Sequence, residues 1–200
     1  MAQYTYDALD RRVKVVVGAT TRGTLYDGSA AILDFNGSGT QTARYLQGTA
    51  IDEILAREVS GTTSWYMPDR LGTIRDISDN TGAVIDHIDY NAFGTVKAES
   101  APSAGDRWKY TGRELDTETG LYQYRARYYD SAAGRFVGQD RTGYSAGDTN
   151  LYRFVGNFAQ NANDPLGDEI VTVEYNAFIS SKLAGGPWYT ERLSGNTISS

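Results

Sequence analysis

Apolar and polar side chains alternate along this chain with a period of two, and Gly, Asn or Asp interrupts the alternation every eight to twelve residues up to about position 136. Because successive side chains of a strand point to opposite faces, this pattern predicts short antiparallel strands. Two hairpins are clearest: residues 31–46 around the turn Asn36–Gly37, and residues 73–90 around the turn Asp79–Gly82. We therefore expect a mostly β fold.

Three stretches depart from this alternation. Residues 97–107 combine small residues with Pro102 and predict an exposed loop. From residue 150, apolar side chains at helical spacing predict one or two short helical turns within 150–163. The tail, 168–200, opens with a short strand over 170–173 and then becomes rich in Gly, Ser and Pro, which indicates the start of a different unit.

The turns belong to an internal repeat. The copies share a scheme in which an aromatic residue ends a strand, an Asp or Asn follows in the turn, and a Gly takes the positive φ that the turn requires. The high content of Gly (22 of 200 residues) and Tyr (15) fits such a repeat. The copies are Tyr4–Arg12, Asp89–Gly94 and Tyr128–Phe136.

Composition excludes several kinds of chemistry. The chain has no Cys and a single His, His87, so it lacks thiolate chemistry and Cys- or His-rich metal sites. A net charge of −6 argues against nucleic-acid and anionic membrane partners. No stretch is long and apolar enough to span a bilayer, and the N-terminus is not a signal peptide. No glycine-rich phosphate loop or calcium loop is present, so we expect no cofactor and no metal.

Several ordered motifs resemble the Rhs/YD-repeat proteins, and specifically the Rhs-associated core. The likeness is dense from about residue 64 to 167 and loose from 4 to 63. The motifs that carry it are Pro68–Thr73, Asp89–Gly94, Tyr110–Glu114, Gly120–Tyr122, Arg125–Asp130, Gly134–Phe136, Asn150–Tyr152, Gly156–Asn157 and Asp164–Gly167.

This resemblance implies the end of a spiral β shell of YD hairpins that encloses a C-terminal toxin used in competition between bacteria. Degenerate YD hairpins would then occupy residues 1–63, the core domain 64–167, and the start of a variable tail 168–200. The expected partners are the rest of the shell or neighbouring hairpins and the enclosed toxin. We expect a secreted or cell-surface protein, of which this chain is a fragment or truncated copy, and unpaired sheet edges that promote association.

The resemblance also implies a pair of acids that cuts the chain. The two matching motifs place these acids at Asp140 and Asp164 and the cut at Gly167 or Asp168. Two neighbouring carboxyl groups can share a proton, so that one activates water while the other protonates the amide. Such a cis-acting aspartyl autoprotease is the alternative to a purely structural shell, in which each Asp only caps a turn.

Two positions depart from the family pattern. Arg141 stands where the family commonly has Pro, and Asp168 stands where the family usually has the Leu that precedes the cut. Asp168 would bring a third negative charge to the pair. A second alternative is a glycan-binding surface formed by the tyrosines of one strand region, namely Tyr122, Tyr124, Tyr128 and Tyr129. For Arg125, Arg127 and Arg135, which lie among aromatic residues, we expect structural stacking and ion pairs.

Overall fold

The computed structural model describes residues 1–168, 170–172, 176–182 and 188–194. Ten antiparallel strands form one sheet in which each strand pairs with the next along the chain. These strands are β1 (Ala2–Tyr6), β2 (Arg12–Val17), β3 (Thr20–Asp27), β4 (Ala30–Asn36), β5 (Gln41–Gln47), β6 (Ile54–Val59), β7 (Thr62–Pro68), β8 (Ile74–Ser78), β9 (Val84–Tyr90) and β10 (Val96–Glu99).

A second, four-stranded antiparallel sheet packs against the first. It contains β11 (Glu114–Asp116), β12 (Leu121–Tyr124), β13 (Arg127–Asp130) and β14 (Arg135–Phe136). Two further pairs follow, β15 (Ala162–Asn163) with β16 (Val171–Thr172), and β17 (Asn176–Lys182) with β18 (Trp188–Ser194). Short 3₁₀ turns occupy Tyr110–Gly112, Gly143–Ala146 and Val155–Asn157. In the described part of the chain, no helix is long and apolar enough to cross a membrane.

Five hairpin turns share one hydrogen-bond pattern, and two of the three repeat copies, Tyr4–Arg12 and Asp89–Gly94, contain it. The Asx carboxyl or amide oxygen at the first position accepts the backbone N–H groups two and four residues later. The residue three positions later has a positive φ and donates its N–H to the Asx carbonyl. The first positions are Asp7, Asn36, Asp69, Asp79 and Asn91. A short polar side chain and a residue with positive φ thus set each turn locally, and this second residue is a Gly in four of the turns and Asp10 in the turn that begins at Asp7.

The structure confirms the mostly β fold and both predicted hairpins. The helical turn predicted within 150–163 is present only as the short turn Val155–Asn157, and its three residues all have a positive φ (40°, 61° and 67°), so it is left-handed and not the right-handed helix that the apolar spacing predicts. The exposed loop predicted at 97–107 is wrong at its start, because β10 extends to Glu99 and pairs with β9. It is also wrong at its end, because Asp106 and Arg107 are largely buried through ion pairs to the sheet.

A buried ionic network joins the two sheets. Glu114 on β11 lies between the guanidinium groups of Arg12, Arg107 and Arg22, at N–O distances of 2.6, 3.2 and 3.1 Å. Burial alone would raise the pKa of Glu114, but the three cations outweigh it and hold the pKa well below the usual 4.5. Arg107 continues the network to Asp34 on β4 at 2.6 Å.

An aromatic cluster fills the space behind the second sheet. Tyr122, Tyr124 and Tyr129 are completely buried, and their hydroxyl groups find buried partners. The hydroxyl of Tyr122 donates to the Gly94 carbonyl at 2.9 Å, and that of Tyr129 donates to the Phe93 carbonyl at 2.8 Å. Three of the four tyrosines of the glycan-binding alternative therefore offer no ring area that could stack on a sugar, and the fourth, Tyr128, is half-buried with its hydroxyl 2.7 Å from that of Tyr6.

Candidate functional site

The two candidate acids lie in two different loops, one after β14 and one after β15. Asp140 follows β14, where its backbone N–H donates to the Leu151 carbonyl at 2.9 Å and its Oδ1 accepts the Thr142 N–H at 2.8 Å. Asp164 follows β15 and is 1% exposed. Each acid therefore caps its own loop, as the structural alternative predicts, and the two are placed by different elements.

Arg127, the first residue of β13, lies between these acids. Its Nη1 is 3.2 Å from Asp140 Oδ2, and its Nη2 is 3.2 Å from Asp164 Oδ2. Its Nε donates to the Gly167 carbonyl oxygen. The aliphatic stem is buried and the guanidinium lies over the Phe136 ring, 3.7 Å from the ring centroid. One cation thus holds together two acids that are 24 residues apart, and we call Arg127, Asp140, Asp164 and Gly167 the carboxyl-terminal clamp.

The segment from Asp164 to Asp168 is also held by hydrogen bonds between its own backbone and the Asp164 side chain. Asp164 Oδ1 accepts the N–H groups of Gly167 at 2.8 Å and Asp168 at 3.1 Å. Gly167 has a φ of +79°, and a Cβ there would collide with the carbonyl of Tyr124. Only Gly permits this close approach, so the chain is seated directly on the turn between β12 and β13.

Arg125 also contacts this segment, at Pro165. Its guanidinium donates to the Pro165 carbonyl and forms an ion pair with Asp52 at 2.6 Å. Asp52 also pairs with the buried Arg113 at 2.7 Å. Burial lowers the pKa of Arg113, and the neighbouring Asp52 opposes that shift. The segment is thereby tied to the β5–β6 connection of the large sheet.

The two residues that depart from the family pattern form a pair with each other. Arg141 Nη2 lies 3.2 Å from Asp168 Oδ2. The carboxylate of Asp168 is therefore the expected third negative charge near the two acids. It is paired with Arg141, which lies in the same loop as Asp140. Both residues line a cavity of about 720 Å³ between the two sheets.

Arg127 is the part of this site that sequence reasoning did not foresee. The expectation for it was stacking and cross-strand pairing, and the stacking on Phe136 is present. Its contact with both acids depends on how β13 lies beside loops that are distant in sequence, for which the sequence carries no local signal. Asp140, Asp164, Gly167 and Asp168 all lie at this one place.

A ten-stranded meander with Asx–Gly turns, packed on a smaller sheet, defines the class of protein: a segment of the wall of a YD-repeat β shell. The sequence matches the family model described as Teneurin YD-shell over residues 2–161, and the chain belongs to this family. This match confirms the resemblance found in the motifs. The role of the chain is accordingly structural, as shell wall.

Two relatives indicate the range of proteins that contain such a segment. The tRNA nuclease WapA of Bacillus subtilis (strain 168) is 31% identical over 152 residues, which cover 74% of this chain and 6% of that relative. Toxin protein Tse5 of Pseudomonas aeruginosa is 33% identical over 122 residues, which cover 61% of this chain and 9% of that protein. The chain thus spans less than a tenth of either relative's length.

Solved structures share the fold. The crystal structure of TcdB2-TccC3-Cdc42 matches with a TM-score of 0.67 at 22% identity, covering 83% of this chain and 9% of that chain. The TcdB2-TccC3 crystal structure without its hypervariable C-terminal region gives a TM-score of 0.66, also at 22% identity and the same coverages. At this identity the match shows that the β-shell fold is common to them.

Proposed function

We propose that this chain forms the carboxyl-terminal end of a YD shell that encloses the polypeptide following residue 168, a toxin used in competition between bacteria. The observation that carries this proposal is the carboxyl-terminal clamp, which fixes the last residues of the core against the second sheet. The relatives named as a nuclease and a toxin support it. The partners are the rest of the shell, neighbouring hairpins and the enclosed toxin, within a larger exported protein.

In this proposal the chain divides as the motifs suggest. Residues 1–63 supply degenerate hairpins of the wall, 64–167 form the core domain, and 168–200 begin the variable tail. Strand β1 supports the association with further hairpins, because its only partner within the ten-stranded sheet is β2. Its other edge therefore offers unpaired backbone groups to a neighbouring strand.

Limited proteolysis of the natural full-length protein tests the enclosure. We expect the region after residue 168 to be resistant to an added protease in the wild type. Arg127→Gln, which leaves both acids of the clamp without their shared cation, should make that region sensitive. Arg44→Gln is the control, because it breaks only an exposed ion pair with Glu58, in which the N–O distance is 2.5 Å. This variant should leave the region after residue 168 resistant. Equal digestion of the wild type and the denatured protein after residue 168 would contradict the proposal.

Cleavage of the chain in cis is a second candidate function. It is favoured by the convergence of Asp140 and Asp164 on one guanidinium that also binds the Gly167 carbonyl oxygen. A donor on that oxygen stabilises the negative charge that develops when water adds to the carbonyl carbon. One carboxylate would take the proton of the water, the other acid would give a proton to the amide nitrogen, and the C–N bond would break.

The mass of the freshly purified chain tests this candidate. Cleavage predicts a product that ends at Gly167 or Asp168 and that disappears in both Asp140→Asn and Asp164→Asn. Asp79→Asn is the matched control, because Asp79 caps a turn in the same way but lies in the β8–β9 hairpin away from the clamp. A wild-type chain that stays at full length throughout incubation would eliminate cleavage and leave the enclosing shell as the function.

A further inference from the structure

The contact between Arg141 and Asp168 connects the two loops that carry the candidate acids. Arg141 directly follows Asp140, and Asp168 lies in the turn that Asp164 caps. The pair is 3.2 Å apart, with the Asp168 side chain 25% exposed and that of Arg141 63% exposed. Its position, rather than its burial, makes it important, because it closes a ring of contacts around the Gly167–Asp168 peptide bond.

The charges around the Gly167–Asp168 bond indicate why the Arg141–Asp168 pair is needed there. Three carboxylates, those of Asp140, Asp164 and Asp168, meet two guanidinium groups, those of Arg127 and Arg141. Without Arg141, one cation would face three carboxylates, of which that of Asp164 is buried. Carboxylates gathered around a single guanidinium repel one another and would push Asp168 away from the turn.

The backbone shows what such a displacement would disturb. The N–H of Asp168 donates to Asp164 Oδ1 at 3.1 Å, so a movement of Asp168 lengthens a bond to one of the clamp's own acids. Arg141 and Asp168 also line the cavity between the two sheets. The pair therefore fixes residue 168 against the cavity wall at the point where the chain leaves the clamp.

We propose that Arg141 is a positioning residue that makes the clamp selective for an acidic side chain at position 168. The proposal rests on the proposed role of the clamp in holding the carboxyl end of the core. It assigns to this chain a matched Arg–Asp pair in place of the family's Pro and Leu. The segment that the clamp binds then has a carboxylate directly after Gly167. This holds whether the segment is only held or is also cut.

A charge-reversal cycle in the full chain tests the pair. Amide hydrogen exchange at Gly167 and Asp168 is measured in Arg141→Glu, in Asp168→Arg and in the double variant, with the amide of Thr81 in the β8–β9 turn as the internal reference. An exposed ion pair contributes up to about a fivefold difference, so each single reversal should accelerate exchange roughly fivefold. The double variant should return to within about twofold of the wild type, while the reference amide does not change.

Each outcome decides the question. Effects that simply add in the double variant, or exchange that does not differ among the four proteins, would overturn the selectivity for an acid. Absence of protection at Gly167 and Asp168 in the wild type would overturn it as well. If the cycle restores protection but the intact mass shows no cleavage, only the cleavage candidate fails. If the cycle fails but the region after 168 stays protected from protease, the enclosing shell stands without this selectivity.

Discussion

Removing the charge of Glu114 is the most direct test of how the two sheets are joined. Glu114 is 3% exposed and makes ion pairs with three arginines, two of which lie on β2 and β3 of the large sheet. Glu114→Gln keeps the size and a hydrogen-bonding oxygen but leaves the guanidinium groups facing a neutral amide. We expect the free energy of unfolding to fall.

The size of the loss follows from what the arginines retain. Removing one partner of a buried ion pair costs about 3–5 kcal/mol. Arg12 keeps Asp116 at 2.5 Å. Arg107 keeps Asp34 at 2.6 Å. Because both cations remain paired, we place the loss at the lower end, about 3 kcal/mol.

Urea unfolding followed by tryptophan fluorescence measures this loss. For a slope of about 1–3 kcal/mol per molar urea, the midpoint should fall by about 1–3 M. Glu58→Gln is the matched control, because the Arg44–Glu58 pair is exposed and should cost at most about 1 kcal/mol. A loss at Glu114 no larger than the loss at Glu58 would refute the claim that this network joins the sheets.

The pH dependence of the difference in unfolding free energy between the wild type and Glu114→Gln is a further check. The folded pKa of Glu114 is depressed, so its stabilising contribution is fully present above the usual value of 4.5 and is lost as the pH falls through the folded pKa. The difference in unfolding free energy between wild type and Glu114→Gln should therefore be constant from about pH 5 to 8 and shrink at lower pH. A difference that grows on acidification would contradict the assignment.

Three smaller predictions follow from single contacts. Gly167→Ala should destabilise the chain by at least about 1 kcal/mol more than Gly61→Ala in urea unfolding, because both have a positive φ but only Gly167 lacks room for a Cβ. Tyr124→Phe removes a completely buried hydroxyl and should cost about 1–2 kcal/mol by the same assay. Asp76→Asn should lower the raised pKa of His87, measured by NMR titration, because the hydrogen bond between the two side chains favours the protonated ring. That bond stabilises the fold below the ordinary pKa of His and ceases to do so as the pH rises through the raised value.

The hairpins could be predicted because their determinants are local. Asn36 and Asp79 bond backbone groups within four residues, and the Gly three positions later supplies the positive φ, so the turn needs no distant partner. Strand β10 follows one of these turns, Asn91–Gly94, but its own residues, Val96–Glu99, carry no comparable signal. Its sequence lacks alternation, and it adopts an extended form because β9 offers an edge to which it can hydrogen-bond.

The clamp could be predicted only in part, for the opposite reason. Motif resemblance brought Asp140 and Asp164 into one hypothesis, since 24 residues of separation say nothing about distance. Arg127 belongs to a strand whose alternation predicts packing, and its guanidinium does lie over the Phe136 ring. Whether this guanidinium meets acids depends on the paths of the loops that carry Asp140 and Asp164. The sequence of β13 carries no information about those paths.

The excess of Arg over Lys, 15 to 4, connects the shell and the clamp. Arg12, Arg107 and Arg127 are all buried or nearly so, and each bonds at least two acids. Both acids of Arg12 lie on β11, whereas the acids of Arg107 and those of Arg127 lie on different elements or loops. A planar guanidinium with five donors can do this, whereas an ammonium on a flexible stem presents a single point of charge. Arg12 and Arg107 thus each join the two sheets through more than one carboxylate. The same property lets Arg127 hold two acids and a carbonyl at once, so the clamp is built with the same kind of contact as the wall.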